Sequence, residues 1–257
     1  PSEQRFADAE GFQQVSDIVM GRCAMCHARQ PGYEGIYHAP KGIFLETPAD
    51  IARAARDKAL PGTVHIHFNG AGGNVAAGKY NDGSPKNRAI LANRLATGMA
   101  AAWRATAKQP LRAADIQWRV KPVVLPLRDM YRDTAKLEAI LKDVKAGPAQ
   151  RNRAARNLIW ARRVQAKDPI ELTCLRLGRA SILHLPGELF VEYQLAAQKM
   201  RPADFVAMAA YGDYAPGYIG DAIAYTQGGY ETGPVSRTAP EVEAVLMPAL
   251  RELLKND

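Results

Sequence analysis

The chain has 257 residues and a formal net charge of +8; 47% of its residues are hydrophobic and 23% are charged. These values are ordinary for a globular protein and exclude a collagen-like or wholly disordered chain. Every apolar run falls short of the roughly 18 residues that a membrane-spanning helix needs. The basic residues are spread widely and do not form a platform with aromatic side chains, so no nucleic-acid partner is predicted.

Residues 1–59 are predicted to form a short, mostly helical segment. Apolar residues at positions 12, 15, 18 and 19 follow the spacing of one helix face. Residues 29–42 are rich in proline and glycine and predict a loop, and a second helix is predicted over residues 48–58. The pattern changes near residue 60, so we predict a separate body over residues 60–257.

Residues 60–257 alternate between strand and helix patterns. Strands are predicted over residues 63–69, 116–127, 171–177, 180–185 and 205–211. Helices are predicted over residues 86–108, 133–145, 148–167, 187–199 and 241–254. Residues 212–239 predict a long aromatic, glycine-rich loop, which is uncommon unless it is functional. The mixture indicates a layered α/β or α+β body, such as that of a hydrolase.

The N-terminal segment contains Cys23-Ala24-Met25-Cys26-His27, a C-x-x-C-H motif. Two thiols at this spacing add across the vinyl groups of one haem, and the histidine that follows lies beneath the iron. The motif predicts covalent haem c attached to Cys23 and Cys26, with His27 as the metal ligand. A redox or metal-binding thiol pair and two unused thiols are the alternatives. The third cysteine, Cys174, lies in an apolar stretch and is predicted to be buried.

Residues 18–28, 39–48 and 51–53, which include this motif, resemble the C-terminal cytochrome c region of the membrane-bound urate hydroxylase family. The likeness covers about residues 10–58. It implies electron transfer to a redox partner outside the cytoplasmic membrane. The family's Met-Pro-Pro-Gly-Asn loop, which supplies the second axial ligand, is absent here. His38 could replace that ligand, or it could be an exposed loop residue.

Three later motifs resemble the neutral/alkaline ceramidase family. They are residues 68–83, the Leu185-Pro186-Gly187-Glu188 turn, and the aromatic loop from residue 217 to residue 231. The resemblance implies a zinc-dependent amidohydrolase that acts on N-acyl lipids. It makes Glu188 and Tyr218 zinc ligands, and it makes Tyr230 a catalytic residue at the substrate carbonyl. The alternative is that Glu188 occupies a helix first turn and that both tyrosines pack within a loop.

This chain departs from the ceramidase pattern at the nucleophile and at the metal. Ala76 occupies the place of the nucleophilic serine and carries no nucleophilic oxygen. Ser84 is nearby, in a predicted turn. The family's two zinc histidines belong to a half that is not in this sequence. His65 and His67 share one side of a predicted strand, and His184 precedes the Pro-Gly-Glu turn, so any of them could add a ligand.

Three functions therefore stand as hypotheses. The first is a ceramidase-like N-acyl amide hydrolase family protein that carries a haem motif, with Ala76 arguing against hydrolysis. The second is a haem-binding electron-transfer protein, and the third is an inactive chimeric fragment joined near residue 60. Both resemblances imply a periplasmic or secreted location, with a lipid amide and a redox protein as candidate partners.

Overall fold

The computed structural model describes Ile66 and residues 68–76, 82–84, 86–212 and 216–255. The haem motif, His38, His65 and His67 lie outside these residues, so the predictions made for them are untested. The chain divides into two compact units. The first comprises Pro1–His67 with Ala77–Gln109, and the second comprises Phe68–Ala76 with Pro110–Asp257.

The described part of the first unit is dominated by one helix, α1 (Lys86–Ala105). Alanine is frequent in this segment and has the highest helix propensity, which explains the predicted and observed helix. A short turn precedes it, in which Asp82 Oδ1 accepts hydrogen bonds from the Ser84 amide at 2.8 Å and from Asn87 Nδ2 at 2.6 Å. Ser84 therefore belongs to this turn.

The second unit is built on a four-stranded mixed sheet in the order β1-β2-β3-β5. The strands are β1 (Ile116–Val123), β2 (Ile170–Leu177), β3 (Ala180–Pro186) and β5 (Phe205–Gly212). The pairs β1–β2 and β2–β3 are antiparallel, whereas β3 and β5 are parallel. Gly178 makes the β2–β3 turn at φ +58°, which glycine adopts without a steric penalty.

Five α-helices accompany this sheet among the described residues. They are α2 (Thr134–Lys142), α3 (Pro148–Gln165), α4 (Val191–Met200), α5 (Ala222–Gln227) and α6 (Val242–Leu253). Period-2 burial along β3 sends Leu183 and Leu185 into the core, where both are fully buried. Helix α6 contributes Leu246 and Leu250 to the same core. Each such side chain stabilises the fold by roughly 1.5–3 kcal/mol relative to leaving it exposed.

Several sequence predictions are confirmed and others are wrong. The 171–185 hairpin and helices α2, α3 and α6 lie within a few residues of their predicted bounds. Cys174 is buried, as predicted. Ile66, Phe68 and Asn69, predicted to be in a strand, have no strand structure. The helix predicted from residue 187 begins only at Val191, because residues 188 and 189 form a strand instead.

That strand, β4 (Glu188–Leu189), pairs in parallel with β6 (Tyr218–Ile219). Leu189 and Ile219 are fully buried, so this small sheet is anchored in the core. Glu188 and Tyr218 are partners in the pairing and stand side by side. The predicted loop after β5 therefore contains regular structure, namely β6 and α5. Among the described residues, no helix is long and apolar enough to cross a membrane.

Candidate functional site

Gly187 brings two chain segments together immediately before Glu188. Its φ is +65°, and a Cβ atom at this position would lie 2.5 Å from the carbonyl oxygen of Gly217. The Gly187 amide donates to the Gly212 carbonyl at 2.6 Å, and the Glu188 amide donates to the Gly217 carbonyl at 2.8 Å. Because only glycine fits this crossing, the Pro-Gly-Glu turn places Glu188 against the aromatic loop.

Gly217 likewise brings two chain segments together immediately before Tyr218. Its φ is +69°, and a Cβ there would lie 2.2 Å from the carbonyl oxygen of Val235. The Arg237 amide donates to the Pro216 carbonyl at 3.0 Å, which closes the loop onto itself. Glu188 and Tyr218 are thus positioned by matched glycines in two segments that are 30 residues apart in sequence numbering. Cross-strand partners project their side chains to the same side of a sheet.

The Tyr218 hydroxyl is hydrogen-bonded to the Glu188 carboxylate. This hydrogen bond raises the pKa of Tyr218 well above its ordinary value, and burial and the negative charge of Glu188 raise it further. Ionising the phenol would lose the hydrogen bond and place a second negative charge beside the carboxylate. Tyr218 is therefore a neutral phenol across the physiological pH range.

Tyr230 completes a group with Glu188 and Tyr218. Its ring meets the Tyr218 ring edge-on, with centroids 5.9 Å apart and an interplanar angle of 76°. This is a favoured geometry for aromatic pairs. Tyr230 is 68% exposed, so a ligand from solvent can reach this residue. The structure thus brings together the three residues that the sequence nominated for one site, while their catalytic and metal roles remain predictions.

Tyr211 is a fourth member of the site and was missed by the sequence reading. The pKa of Tyr211 is raised, mainly by burial and secondly by the negative charge of Glu188. Its backbone is left-handed, with φ +68°, and its amide donates to the Gly187 carbonyl at 2.8 Å. A non-glycine residue in this conformation costs of order 1–3 kcal/mol and commonly marks a functional site. Its position at the end of a buried strand was the only available signal.

His184 lies at the edge of this region, on β3. Its Nε2 atom is 2.2 Å from the place that a Cβ of Gly212 would take, so the imidazole fits only because residue 212 is glycine. Among the described residues, no group of three His, Cys, Asp or Glu side chains could hold a metal ion. His184 therefore does not form such a group around Glu188.

The loop that carries Ala76 is held against the Glu188 strand. A Cβ on Gly73 would lie 2.3 Å from the Glu188 carbonyl oxygen, and the Gly73 amide donates to Leu189 at 2.8 Å. Asn74 Oδ1 accepts from the Val191 amide at 2.9 Å. Ala76 follows two residues later and is exposed. The loop is near Glu188, but its residue 76 offers no oxygen for acyl transfer.

The described residues do not fit a hydrolytic zinc site. Such a site uses three protein ligands with one position left open, and the ligands favoured by zinc are histidine, cysteine and carboxylate. Glu188 and Tyr218 supply two oxygen ligands, and they are hydrogen-bonded to each other. What this geometry does supply is a carboxylate with neutral phenols beside it, suited to hydrogen bonding with a polar ligand.

These features define a mixed helix-and-sheet domain with a carboxylate–tyrosine site between two parallel strand ends. The chain is similar to the solved structure of neutral ceramidase from Pseudomonas aeruginosa, with a TM-score of 0.51 and 14% sequence identity. The similarity covers 82% of this chain and 40% of the ceramidase chain. The mixed fold is thus ceramidase-like, and this chain spans well under half of that protein.

A second solved structure, a ceramidase complexed with C2, matches with a TM-score of 0.41 and 14% identity, over 66% of this chain and 33% of that one. No protein-family model matches the sequence. The curated proteins also contain no match.

Proposed function

We propose that this chain is a ceramidase-like protein whose Glu188–Tyr218–Tyr230 site binds the amide group of an N-acyl lipid. The observation that carries the proposal is the hydrogen-bonded Glu188–Tyr218 pair beside the exposed ring of Tyr230. Phenol hydroxyls can donate to an amide carbonyl, and a carboxylate can accept from an amide N–H. The ceramidase-like fold supports a lipid amide as the ligand class.

Hydrolysis is not part of this proposal. Acyl transfer needs an activated nucleophile, and Ala76 stands where the ceramidase resemblance expects a serine. The described residues also leave a zinc ligand set incomplete. The described site is therefore suited to binding the amide, and Ala76 supplies no nucleophile for a chemical step.

Equilibrium binding of a fluorescent short-chain N-acyl sphingoid amide to the full chain tests this function. We expect saturable binding that Tyr230→Phe weakens about fivefold, because one hydrogen bond contributes about 1 kcal/mol. Trp118→Phe, which alters an exposed aromatic residue of β1, is the matched control and should bind like the wild type. Absence of saturable binding, or equal affinity in Tyr230→Phe, would refute the proposal. Amine release by the wild type that Glu188→Gln abolishes would show a hydrolase instead.

We further propose that residues 1–59 bind haem c and exchange electrons with a redox partner outside the cytoplasmic membrane, in a periplasmic or secreted protein. The Cys23-Ala24-Met25-Cys26-His27 motif supports this second function. Expression in a host that matures c-type cytochromes should give covalent haem, measured by its reduced absorption bands. Cys23→Ala should lose the haem and Cys174→Ala should keep it. A colourless wild-type protein would contradict this function, and if amide binding also failed, the inactive-chimera hypothesis would stand.

A further inference from the structure

The excess of positive charge in this chain is concentrated in one stretch. Residues 144–167 contain seven lysine and arginine residues and no aspartate or glutamate, whereas the whole chain has a net charge of +8. The remaining residues therefore carry a net charge of only +1, the difference between these two values. Helix α3 (Pro148–Gln165) forms most of this stretch and contributes five of the seven cations, all of them arginines. A concentration of one sign of charge attracts a polyanionic partner to that place on the surface.

The exposed side of α3 has an apolar residue at its centre and arginines on both flanks. The buried side of the helix consists of Ala154, Asn157, Leu158, Trp160 and Ala161. Successive residues are about 100° apart around a helix, which places Ile159 opposite to this buried side, and Ile159 is 66% exposed. By the same geometry, Arg156 and Arg163 lie to one side of Ile159, whereas Arg151 and Arg162 lie to the other. These five residues are called the arginine face below.

Two arginines of this face lack a partner within the protein. Arg162 contacts Glu138 and Arg163 contacts Asp168, each at 2.8 Å. Among the described residues, neither Arg151 nor Arg156 has a hydrogen bond or an ion pair, and both are exposed. Guanidinium groups bind phosphate oxygens in a bidentate geometry, so these two arginines are suited to phosphate groups outside the protein.

The exposed apolar residues favour a lipid surface over a nucleic acid. Val144 is 89% exposed and lies between Lys142 and Lys145 in the turn that joins α2 to α3, so this turn repeats the pattern of Ile159. At a membrane surface, such apolar side chains enter the headgroup layer while the cations contact phosphates. A single-stranded nucleic acid would instead use an exposed aromatic ring for base stacking, but Trp160 of α3 is 1% exposed.

We propose that the arginine face docks on a bilayer that contains anionic phospholipids. The guanidinium groups of Arg151 and Arg156 contact lipid phosphates, and Ile159 enters the headgroup layer between them. This docking does not rest on the proposed amide binding. The amide assay uses a soluble ligand without vesicles, so the two proposals can fail independently of each other.

Sedimentation of the full chain with lipid vesicles tests the docking surface. Vesicles of phosphatidylcholine with roughly 30% phosphatidylglycerol should bind the chain at about 0.1 M salt and release it at about 0.5 M, and pure phosphatidylcholine should not bind it. The Arg151→Gln, Arg156→Gln double variant should bind about 10- to 30-fold more weakly, since each basic residue at an anionic surface contributes about 1 kcal/mol. The Lys199→Gln, Arg251→Gln double variant removes the same charge from exposed positions of α4 and α6. This control should bind within about twofold of the wild type.

Ile159→Gln separates a membrane from other polyanions. The variant keeps every charge, so vesicle binding that is about fivefold weaker would report the loss of apolar insertion. All of these variants should unfold at the wild-type temperature, because the altered side chains are exposed. Equal vesicle binding by the two double variants would overturn the proposal. Tighter binding of duplex DNA than of vesicles would also overturn it, as would release from vesicles by inorganic phosphate but not by sodium chloride at the same ionic strength.

Discussion

Tyr218 donates a hydrogen bond to the carboxylate of Glu188, its partner in the parallel β4–β6 pairing. This contact is the largest cause of the raised pKa of Tyr218. Glu188→Gln removes the negative charge and weakens the acceptor, so the pKa of Tyr218 should fall toward the ordinary value of about 10.

The measurement is a pH titration of the Tyr218 ring by NMR with ¹³C-labelled tyrosine, assigned by loss of the signal in Tyr218→Phe. Glu171→Gln, at an exposed position of β2, is the control and should leave the titration of Tyr218 unchanged. If Glu188→Gln also left it unchanged, Glu188 and Tyr218 would not be in contact in solution.

Gly187 and Gly217, where the two chain segments approach each other before Glu188 and Tyr218, should not tolerate an added methyl group. In Gly187→Ala the new Cβ would lie 2.5 Å from the Gly217 carbonyl oxygen in a left-handed backbone, so backbone must move. We expect a loss of about 3 kcal/mol in the free energy of unfolding. Gly147→Ala, where a Cβ meets no atom within 4 Å, should change it by less than about 1 kcal/mol. Urea unfolding checks both, and similar losses would contradict the crossing.

Tyr193 should make the stability of the protein depend on alkaline pH. Burial raises its pKa far above the ordinary value, and its hydroxyl donates to the Gly220 carbonyl at 2.9 Å. Since the folded-state pKa is raised, this stabilisation is complete below pH ~10, the unfolded-state value, and is lost as the pH rises above it. Tyr193→Phe loses the hydrogen bond, which costs about 1 kcal/mol at pH 8.

The variant cannot ionise at this position, so its deficit should disappear near pH 11, where the wild type loses roughly 1.4 kcal/mol from this group. Urea unfolding at pH 8 and pH 11 measures the difference. Tyr230→Phe, at an exposed position, serves as the control and should differ little from the wild type in stability at pH 8. A deficit for Tyr193→Phe that is equal at both pH values would show that the phenol ionises alike in the folded and unfolded chain.

The sequence pattern predicted the helices and strands that are determined by neighbouring residues. The hairpin around Gly178 follows from the alternating burial of β3 and one left-handed glycine, and helix α3 begins with Pro148 at its first position. Helix α4 was predicted four residues too early, because the pairing of Glu188 with Tyr218 joins segments distant in sequence. Such a pairing cannot be predicted from the pattern of neighbouring residues alone.

The site was predictable only in part for the same reason. Motif resemblance nominated Glu188, Tyr218 and Tyr230, which the structure brings together. Tyr211 was missed, because its left-handed backbone is imposed by the tertiary structure and no residue type signals it.

Arg237 should couple helix α3 to the loop that carries Tyr218. It is 8% exposed, and its Nε donates to Asn157 Oδ1 at 2.6 Å, while its backbone amide donates to Pro216. Asn157→Ala removes an acceptor from a buried guanidinium, so the free energy of unfolding should fall by about 2–3 kcal/mol. Asn152→Ala, at an exposed position of the same helix, should be neutral or slightly stabilising because alanine is the better helix former.

The loss of stability in Asn157→Ala should be concentrated in the loop that carries Tyr218. Hydrogen exchange should speed up at the amides of Tyr218 and Arg237, whose hydrogen bonds to Val235 and Pro216 close the loop. Because Tyr218 is then less firmly held beside Glu188, binding of the fluorescent N-acyl amide should weaken as well. If exchange in Asn157→Ala accelerated equally in the β2–β3 hairpin, the Asn157–Arg237 hydrogen bond would stabilise the whole second unit and would have no particular connection to the site.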